Sequence, residues 1–349
     1  MFEDKFLKTR RRLVQAMTFA GVGSQVLLKT GSARAAMFEA KESAGLAEPW
    51  PGMTYRKLGR TNFNGSRLVF GCGAALSSKP RDKLLHTAFD GGVNVFDVGY
   101  SAYYDDAEKN LAPFLKAKRD KIFLISKAVV PVDLDVEEQL NVSAAKTAAA
   151  GWLKLLEGSL SELQVDHVDA YYFMASNNVS VVGNEEIYRA FEKAKAAGKV
   201  SHLGLSTHQN AENVLKTAID TGWYSLAQIA ITPAGWYDWI DRTVLPESPP
   251  MKDLQPLLDK ARASGIGLVG MKAARFLAGR KFLGWGNPDA FNDFYDESFM
   301  QAKMSEFQRS YAYVLAHGLD AVNADMQSMA HLKENFIAAA TSHDYFNVA

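Results

Sequence analysis

The sequence is poor in the residue types that many metal sites and cross-links need. Its 349 residues include one cysteine, Cys72, and seven histidines. A single cysteine excludes an intrachain disulfide and any iron–sulfur or zinc site with several cysteine ligands from this chain. No histidine forms an H-x-H or H-x-x-x-H pair at a predicted strand end, which disfavours a metal hydrolase. The sequence therefore predicts no bound metal.

An excess of charge of either sign is also absent. Lys and Arg number 39, and Asp and Glu also number 39, so the formal net charge is zero. A dedicated nucleic-acid-binding protein usually carries a basic surface, so no nucleic-acid partner is expected. The chain is 48% hydrophobic, which suffices for a large core in one domain or two smaller ones.

A long hydrophobic run is missing as well, although residues 1–36 differ from the rest of the chain. Thr9-Arg10-Arg11-Arg12-Leu13-Val14 precedes a moderately apolar run to about Leu28, and Ala33-Arg34-Ala35 has a small-x-small pattern. Polar residues and glycines interrupt the run, so no stable membrane span is expected. The segment resembles a twin-arginine export signal, which implies export to the periplasm in the folded state. An amphipathic anchor or a disordered tail is the alternative, and residues 37–52 are interpreted as a linker.

From residue 53 onward the pattern predicts strands alternating with helices. Residues 53–68 carry turn signals at Gly59 and Asn64-Gly65 and predict a β-hairpin. Eight strands are then predicted at Arg67–Gly71, Asn94–Gly99, Ile122–Ala128, His167–Met174, His202–Ser206, Leu226–Thr232, Gly265–Lys272 and Leu319–Ala324. Eight helices are predicted at Asp82–Asp90, Ala107–Ala117, Ala144–Leu163, Asn184–Ala197, Ala211–Thr221, Met251–Ser264, Ser305–Ala316 and Ser328–Ala340. This alternation predicts a (β/α)8 TIM barrel over residues 53–349, and no G-x-G-x-x-G follows a strand to favour a doubly wound sheet.

Chemically active side chains lie where neighbouring predicted strands end. Asp97 ends one strand, Tyr103 and Tyr104 follow it, and Lys127 ends the next strand. The carboxyl ends of parallel strands meet at one barrel mouth, so these groups are expected close together. A tyrosine there could act as a general acid, with its pKa lowered by the lysine that the carboxylate holds.

Two long predicted loops are rich in aromatic residues. Residues 233–250 hold Trp236, Tyr237 and Trp239, and residues 273–300 hold Phe276, Phe282, Trp285, Phe291, Phe294 and Tyr295. Such loops either shape a substrate pocket or simply cover the barrel end.

Several motifs occur in an order and spacing that resemble the aldo-keto reductases, a family of NAD(P)H-dependent barrel enzymes. They are YRKLGRT, RLVFG, GGVNVFDVG with E-x-x-L, FLISK, VDAYYF, GKVSHLGLSTH, GIGLVGMKAAR and S-x-x-x-L-K-E-N ending at Asn335. The resemblance covers about residues 53–335 and implies that Asp97 and Lys127 are the family's catalytic aspartate and lysine. The family tyrosine maps nearest to Tyr104, four residues before Glu108, with Tyr103 as the alternative.

One catalytic position departs from the family. The resemblance implies a histidine after VDAYYF, but this chain has Met174, whose thioether is a weak acceptor. His208, just past a strand end, is the candidate replacement, with Asn177 and Asn178 on a neighbouring loop, whereas His202 is expected to be structural.

The resemblance also implies a nicotinamide cofactor, NAD or NADP, in a partly altered site. The matching candidates are Ser206, Thr207, Gln228, Met271, Lys272, Arg275, Ser328, His331, Glu334 and Asn335. Asp325 falls near the expected position of an adenosine 2′-phosphate, where its charge would be repulsive, and Lys272 and Arg275 are expected to be the only nearby cations.

Two functions from different classes follow. The first is an exported oxidoreductase that transfers hydride between a nicotinamide cofactor and a small carbonyl or alcohol substrate, with a redox protein or quinone as a further candidate partner. The second is a barrel that has lost turnover and serves as a periplasmic binding or accessory protein. A Schiff-base aldolase using Lys272 is a remote third alternative.

Overall fold

The described structure contains the predicted barrel. The computed structural model describes residues 50–278 and 286–344. The predicted export signal, nearly all of the linker, and Phe282 and Trp285 lie outside the described residues. Twelve strands are described, and they are β1 Tyr55–Lys57, β2 Asn64–Ser66, β3 Leu68–Gly71, β4 Val95–Asp97, β5 Phe123–Ala128, β6 Val168–Phe173, β7 Val200–Thr207, β8 Leu226–Thr232, β9 Gly235–Asp238, β10 Thr243–Val244, β11 Gly267–Met271 and β12 Ala321–Asp325.

Eight of these strands close into a parallel barrel. Their order around the barrel is β3, β4, β5, β6, β7, β8, β11 and β12, and β12 pairs back to β3. Each predicted strand corresponds to one barrel strand, so the (β/α)8 prediction is confirmed. At the mouth, Asp325 pairs in register with Gly71, and Gly71 pairs in register with Asp97. The ends of β12, β3 and β4 therefore lie side by side.

The predicted helices are also present: fifteen of their sixteen ends lie within two residues of the prediction, and the sixth helix begins at Gln255 rather than at Met251. The described α-helices are α1 Gly73–Leu76, α2 Asp82–Asp90, α3 Ser101–Tyr104, α4 Ala107–Lys118, α5 Val142–Leu163, α6 Val179–Val182, α7 Glu185–Ala196, α8 Ala211–Thr221, α9 Gln255–Ala263, α10 Glu297–Met300, α11 Glu306–Ala316 and α12 Met329–Thr341. Helix α7 illustrates why they form. Asn184 caps it by accepting hydrogen bonds from the backbone of Glu186 and Ile187, and Ile187, Ala190 and Phe191 bury one face.

The N-terminal hairpin closes the end of the barrel opposite the mouth. Strands β1 and β2 pair antiparallel, and Leu58 and Phe63 between them pack on the barrel's inner core. The hairpin prediction is confirmed, with the turn at Gly59–Thr61, where the first turn signal was predicted, whereas Asn64-Gly65 belongs to β2. Gly59 has a φ of +52°, which requires a residue tolerant of the left-handed region.

The two aromatic loops at the mouth have different roles. Phe276, Phe291, Phe294 and Tyr295 pack together in an apolar cluster beside α11, as expected of a cover. Trp239, between β9 and β10, instead lies beside polar residues of the mouth. Over the described ranges, no helix has the length and apolar character to cross a membrane. The same ranges hold no group of three or more metal-ligating side chains.

Candidate active site

A buried ion pair between Asp97 and Lys127 forms the centre of the mouth. Lys127 Nζ donates to Asp97 Oδ1 at 2.5 Å, to Asp97 Oδ2 at 2.6 Å and to the backbone oxygen of Val98 at 2.7 Å. Both side chains are about 3% exposed. The sequence placed these two groups at adjacent strand ends, and the structure brings them into direct contact. All three protons of the ammonium are committed to these acceptors.

Two amides from distant strands complete the surroundings of Asp97. Asn323 on β12 donates from Nδ2 to Asp97 Oδ2, and Gln228 on β8 is also hydrogen-bonded to the carboxylate. Burial raises the pKa of Asp97, while the Lys127 ammonium and the two amide donors oppose that rise. Sequence analysis did not find Asn323, because its link to Asp97 spans 226 positions.

Tyr104 is held in the mouth by close backbone contact. A Cβ added to Gly73 would lie 2.5 Å from the Tyr104 ring, and one added to Gly99 would lie 2.9 Å from the ring and 3.0 Å from Lys127 Cγ. The two glycines therefore make room for the phenol and the lysine stem. The Lys127 Nζ atom lies 5.7 Å from the centre of the Tyr104 ring.

The electrostatics of Tyr104 differ from the prediction. The sequence suggested that Lys127 lowers its pKa, but burial raises the pKa of Tyr104 well above its ordinary value, and the charges of Asp97 and Asp325 add to the rise. Lys127 cannot offset this because its ammonium is paired with Asp97. The phenol therefore stays protonated at neutral pH. A protonated phenol is suited to donating a proton.

Tyr103 lies beside Tyr104 but has a different partner. The two rings are 4.6 Å apart at 76°, and Trp239 donates a hydrogen bond to the Tyr103 hydroxyl. Burial raises the pKa of Tyr103. Tyr103 is therefore tied to the β9–β10 loop, whereas Tyr104 lies next to the lysine.

Met174 is buried, and its backbone N–H donates to the backbone oxygen of Ala128 at 2.9 Å.

His208 directly follows β7, and a side chain from the preceding loop holds its backbone. Asn177 Oδ1 accepts hydrogen bonds from the backbone N–H groups of His208 and Gln209, each at 3.1 Å, and so fixes the backbone position of His208. Burial lowers the pKa of His208 to about 3, with Lys272 and Lys127 contributing, so its imidazole is neutral.

The other polar candidates near that loop are structural. Asn178 Nδ2 donates to the backbone oxygens of Asp135 and Glu138, both at 2.7 Å, while its Oδ1 caps α6. His202 lies within β7, as expected, with Nδ1 3.3 Å from Ser225 Oγ. Neither side chain is placed among the groups around Asp97.

Three residues predicted to contact the nicotinamide lie at the ends of β7 and β8. Ser206 Oγ accepts from the backbone N–H of Ala175 at 3.1 Å, and no described residue accepts its proton. Thr207 Oγ1 is engaged with Gln209 O at 2.6 Å and Asn177 Oδ1 at 2.9 Å. Gln228 Nε2 lies 3.5 Å from Met271 Sδ, and Gln228 Oε1 is buried without a hydrogen-bond partner among the described residues.

The predicted nucleotide residues gather at the start of α12. Ser328 caps the helix by accepting from the backbone N–H of His331 at 3.2 Å. Glu334 accepts a hydrogen bond from Ser305 Oγ, and Asn335 is buried. The expectation that Lys272 and Arg275 are the only nearby cations is wrong. Arg81 Nη1 donates to Gln327 O at 2.7 Å, beside the helix cap.

The residues after β11 have distinct surroundings. Met271 is buried with Tyr237 and packs against Trp239. Lys272 has a φ of +66°, and its Nζ lies 3.9 Å from the centre of the Trp239 ring. The Arg275 backbone N–H donates to Lys272 O at 2.8 Å, which tightens the turn.

A closed eight-stranded barrel with a buried aspartate–lysine pair and a tyrosine in its mouth defines a class of oxidoreductase barrels. Residues 62–279 match the aldo/keto reductase family, and the chain belongs to that family. It is 29% identical over 168 residues to an uncharacterized oxidoreductase, YrpG, of Bacillus subtilis strain 168. That match covers 44% of this chain and 49% of the relative, so the chain spans about half the length of that protein.

Solved structures share the fold. The aldo-keto reductase AKR11C1 of Bacillus halodurans, in its holo form, has a TM-score of 0.58 and 19% identity, covering 82% of this chain and 90% of the other. An aldo-keto reductase of Klebsiella pneumoniae in complex with NADPH has a TM-score of 0.56 and 19% identity, covering 82% and 89%.

Proposed function

We propose that this protein is an exported reductase that uses NAD or NADP to interconvert a small carbonyl compound and its alcohol. The observation that carries the proposal is the buried Asp97–Lys127 pair with Tyr104 beside it in the barrel mouth. A buried ion pair is not expected in a barrel without a functional site, because removing two charges from water costs free energy. Catalytic sites accept that cost to fix a proton donor.

The chemistry of the donor set fits a nicotinamide. Its carboxamide needs one acceptor for its N–H groups and one donor for its oxygen. Gln228 offers a buried acceptor, Oε1, that has no partner among the described residues, and Ser206 offers a hydroxyl proton. Thr207 contributes less because its hydroxyl is engaged within the protein. When bound, the nicotinamide would supply the hydride.

The chain's own residues manage the proton. Tyr104 is protonated and would donate its hydroxyl proton to the substrate oxygen as the alcohol forms. Lys127 and Asp97 fix the mouth beside the phenol and stay paired with each other. The absence of a histidine at Met174 removes one group that would polarise the carbonyl. Neutral His208 is the side chain we assign to that task, because an uncharged imidazole can donate one hydrogen bond.

At the nucleotide end, Ser328, His331, Glu334 and Asn335 are assigned to the adenosine half of the cofactor. Arg81 and Arg275 are the cations that could attract its phosphates. The NADPH complex of the Klebsiella pneumoniae protein supports a nicotinamide cofactor in this fold. Measuring the affinity of the protein for NADH and for NADPH would decide between the two cofactors. A redox partner would be the alternative source of electrons outside the cytoplasm.

Matched tyrosine variants test the function. The purified full-length protein is assayed for reduction of neutral aldehydes with NADH and with NADPH. We expect Tyr104→Phe and Lys127→Met to lower kcat by about 100- to 10,000-fold, the usual contribution of a positioned proton donor. Tyr103→Phe is the control and should change kcat by less than about tenfold. Equal activity of wild type and Tyr104→Phe would contradict the assignment.

The main alternative is a barrel that binds small molecules without turnover, and Met174 is the observation that favours it. Mass analysis of small molecules released on denaturation separates the two. Nicotinamide nucleotide at about one equivalent supports the reductase. A protein that carries none and does not bind added NADH or NADPH would leave a periplasmic binding or accessory role.

Export is a separate part of the proposal, and it rests on residues 1–36. Replacing Arg10, Arg11 and Arg12 together by lysine should retain the protein in the cytoplasm, since paired arginines are the feature that the export machinery recognises. Fractionation of cells expressing the wild type and the triple variant measures this. Equal periplasmic recovery of both would argue against a twin-arginine signal.

A further inference from the structure

Lys272 makes no ion pair within 4 Å among the described residues, although the charge of Asp325 attracts it. It follows β11 at the barrel mouth in the left-handed region, which is unfavourable for a lysine. Its Nζ rests 3.9 Å from the centre of the Trp239 ring. No described residue accepts a hydrogen bond from this ammonium or pairs with it within 4 Å. A half-buried ammonium covered by an aromatic ring leaves hydrogen-bond donors available for a ligand.

A second cation lies against the same ring. The Arg242 guanidinium lies 5.6 Å from the centre of the Trp239 ring, and Arg275 lies on the turn after Lys272. Burial lowers the pKa of Lys272 to about 8, and repulsion from Arg275, Lys127 and Arg242 adds to the effect against the attraction of Asp325. A bound anion would relieve this repulsion and raise the pKa again.

The position of Lys272 favours the reacting molecule over the distant part of a cofactor. Lys272 and His208 both lie beside the Trp239 ring, so Lys272 borders the space that contains the proposed reaction groups. The His208 and Trp239 rings lie 6.3 Å apart. The residues assigned to the adenosine half lie on α12, whereas Trp239 also binds Tyr103 next to Tyr104.

We propose that Lys272, covered by Trp239, binds a carboxylate on the carbonyl substrate, so that the enzyme prefers anionic aldehydes or ketones. Trp239 would contact the apolar body of such a substrate, and Arg242 would add attraction at longer range. This inference rests on the proposed reductase function. Lys272 is thus a specificity-determining residue, and the carbonyl reduction itself remains with Tyr104.

The first arm compares two substrates of nearly the same shape. 4-Formylbenzoate carries a carboxylate, and methyl 4-formylbenzoate does not. In Lys272→Met, which keeps a similar stem without charge, KM for the acid should rise about 10- to 100-fold, as expected for a lost charge-assisted hydrogen bond. KM for the ester should change less than about twofold. Lys272→Arg should restore part of the preference, and exposed Lys260→Met is the control.

The second arm measures binding without turnover. Calorimetric titration with terephthalate monomethyl ester at pH 8.5, in buffers of different ionisation enthalpy, reports protons taken up on binding. The wild type should take up a fraction of a proton as Lys272 is recharged, and Lys272→Met should not. A failure of both aldehydes to be reduced, with this proton uptake intact, would refute the proposed reaction and leave the anion site standing.

The third arm separates substrate from cofactor. The Kd values of NADH and NADPH are measured for the wild type and Lys272→Met. They should agree within about threefold. A tenfold loss of nucleotide affinity with equal effects on both aldehydes would assign Lys272 to a cofactor phosphate and overturn the proposal. Absence of carboxylate binding to the wild type would also overturn it.

Discussion

Asn323 donates a hydrogen bond to the same oxygen of Asp97 that receives a bond from Lys127. The aspartate therefore has its second oxygen fixed from two sides of the barrel, by β5 and by β12. This contact crosses the seam where the first and last barrel strands meet. It links closure of the fold to the geometry of the proposed catalytic group.

Removing the Asn323 amide should loosen that carboxylate. Asn323→Leu keeps a similar volume but loses the donor, so we expect about 2 kcal/mol less stability, the usual value of a hydrogen bond to a charged group. The pKa of Asp97 should rise, because a donor that favours its charged form is gone. Urea unfolding and carbon NMR of labelled aspartate carboxyls measure the two effects. Exposed Asn213→Leu should change neither, and an unshifted Asp97 would refute the role.

Gly71 should be required for the same contact. A Cβ at this position would lie 2.6 Å from Asn323 Oδ1 and 2.8 Å from Ala324 O. Gly71→Ala is therefore expected to displace Asn323 and to cost about 1–3 kcal/mol, as overpacked sites do. Gly158→Ala is the matched control, since its Cβ would meet nothing within 4 Å in α5. That change should stabilise the protein by about 0.5–1 kcal/mol. Equal unfolding midpoints for the two variants would contradict this.

The pH dependence of reduction should reflect a protonated Tyr104. Burial raises the pKa of Tyr104 well above its ordinary value, so the proton donor is present throughout neutral and mildly alkaline conditions. With methyl 4-formylbenzoate, a neutral substrate, kcat should not fall between pH 7 and pH 9. Single-turnover rates at saturating nicotinamide cofactor measure it. A tenfold fall per pH unit that is absent in Tyr104→Phe would show that the tyrosine loses its proton in this range.

Glu108 should make the stability of the fold pH-dependent. Its side chain is buried, accepts from Ser126 Oγ at 2.6 Å, and has its pKa raised by burial to about 7 from an ordinary 4.5. The folded state then holds this proton longer than the unfolded state, so stability falls as pH rises from about 4.5 to 7. The loss should reach about 3 kcal/mol above pH 7.

Glu108→Gln provides the comparison, because the amide oxygen can still accept from Ser126 but does not titrate. Urea unfolding of both proteins is measured at pH 5 and at pH 8. From pH 5 to pH 8, the wild type should lose about 2–3 kcal/mol more unfolding free energy than Glu108→Gln. Parallel pH dependence in the two proteins would show that Glu108 is not the titrating group.

The regular elements could be predicted from sequence because they depend on local patterns. Helix α8 was predicted at its observed bounds, Ala211–Thr221, from apolar residues three or four apart. Asp97 and Lys127 were found because strand ends of a parallel barrel share one mouth. Of the two turn signals predicted in the hairpin, Gly59 lies in the turn, whereas Asn64-Gly65 lies in β2 and pairs with β1.

Parts of the candidate site depend on contacts that no local pattern contains. The role of Gly73 is set by the ring of Tyr104, and the cation at the start of α12 is Arg81 from another part of the chain. The direction of the Tyr104 pKa follows from its burial and from Lys127 being fully engaged with Asp97 and Val98. Residue identities alone give neither the burial of Tyr104 nor the hydrogen bonds of Lys127.

The sequence by itself determined the barrel, the family resemblance and the position of Asp97, Lys127 and Tyr104 at one mouth. Strand and helix periodicity follows from the backbone, and strand ends converge in any parallel barrel. Only the tertiary structure decided that Asn323 holds Asp97 and that Trp239 covers Lys272. Those pairings depend on strand register and loop paths, which bring together residues far apart in the chain.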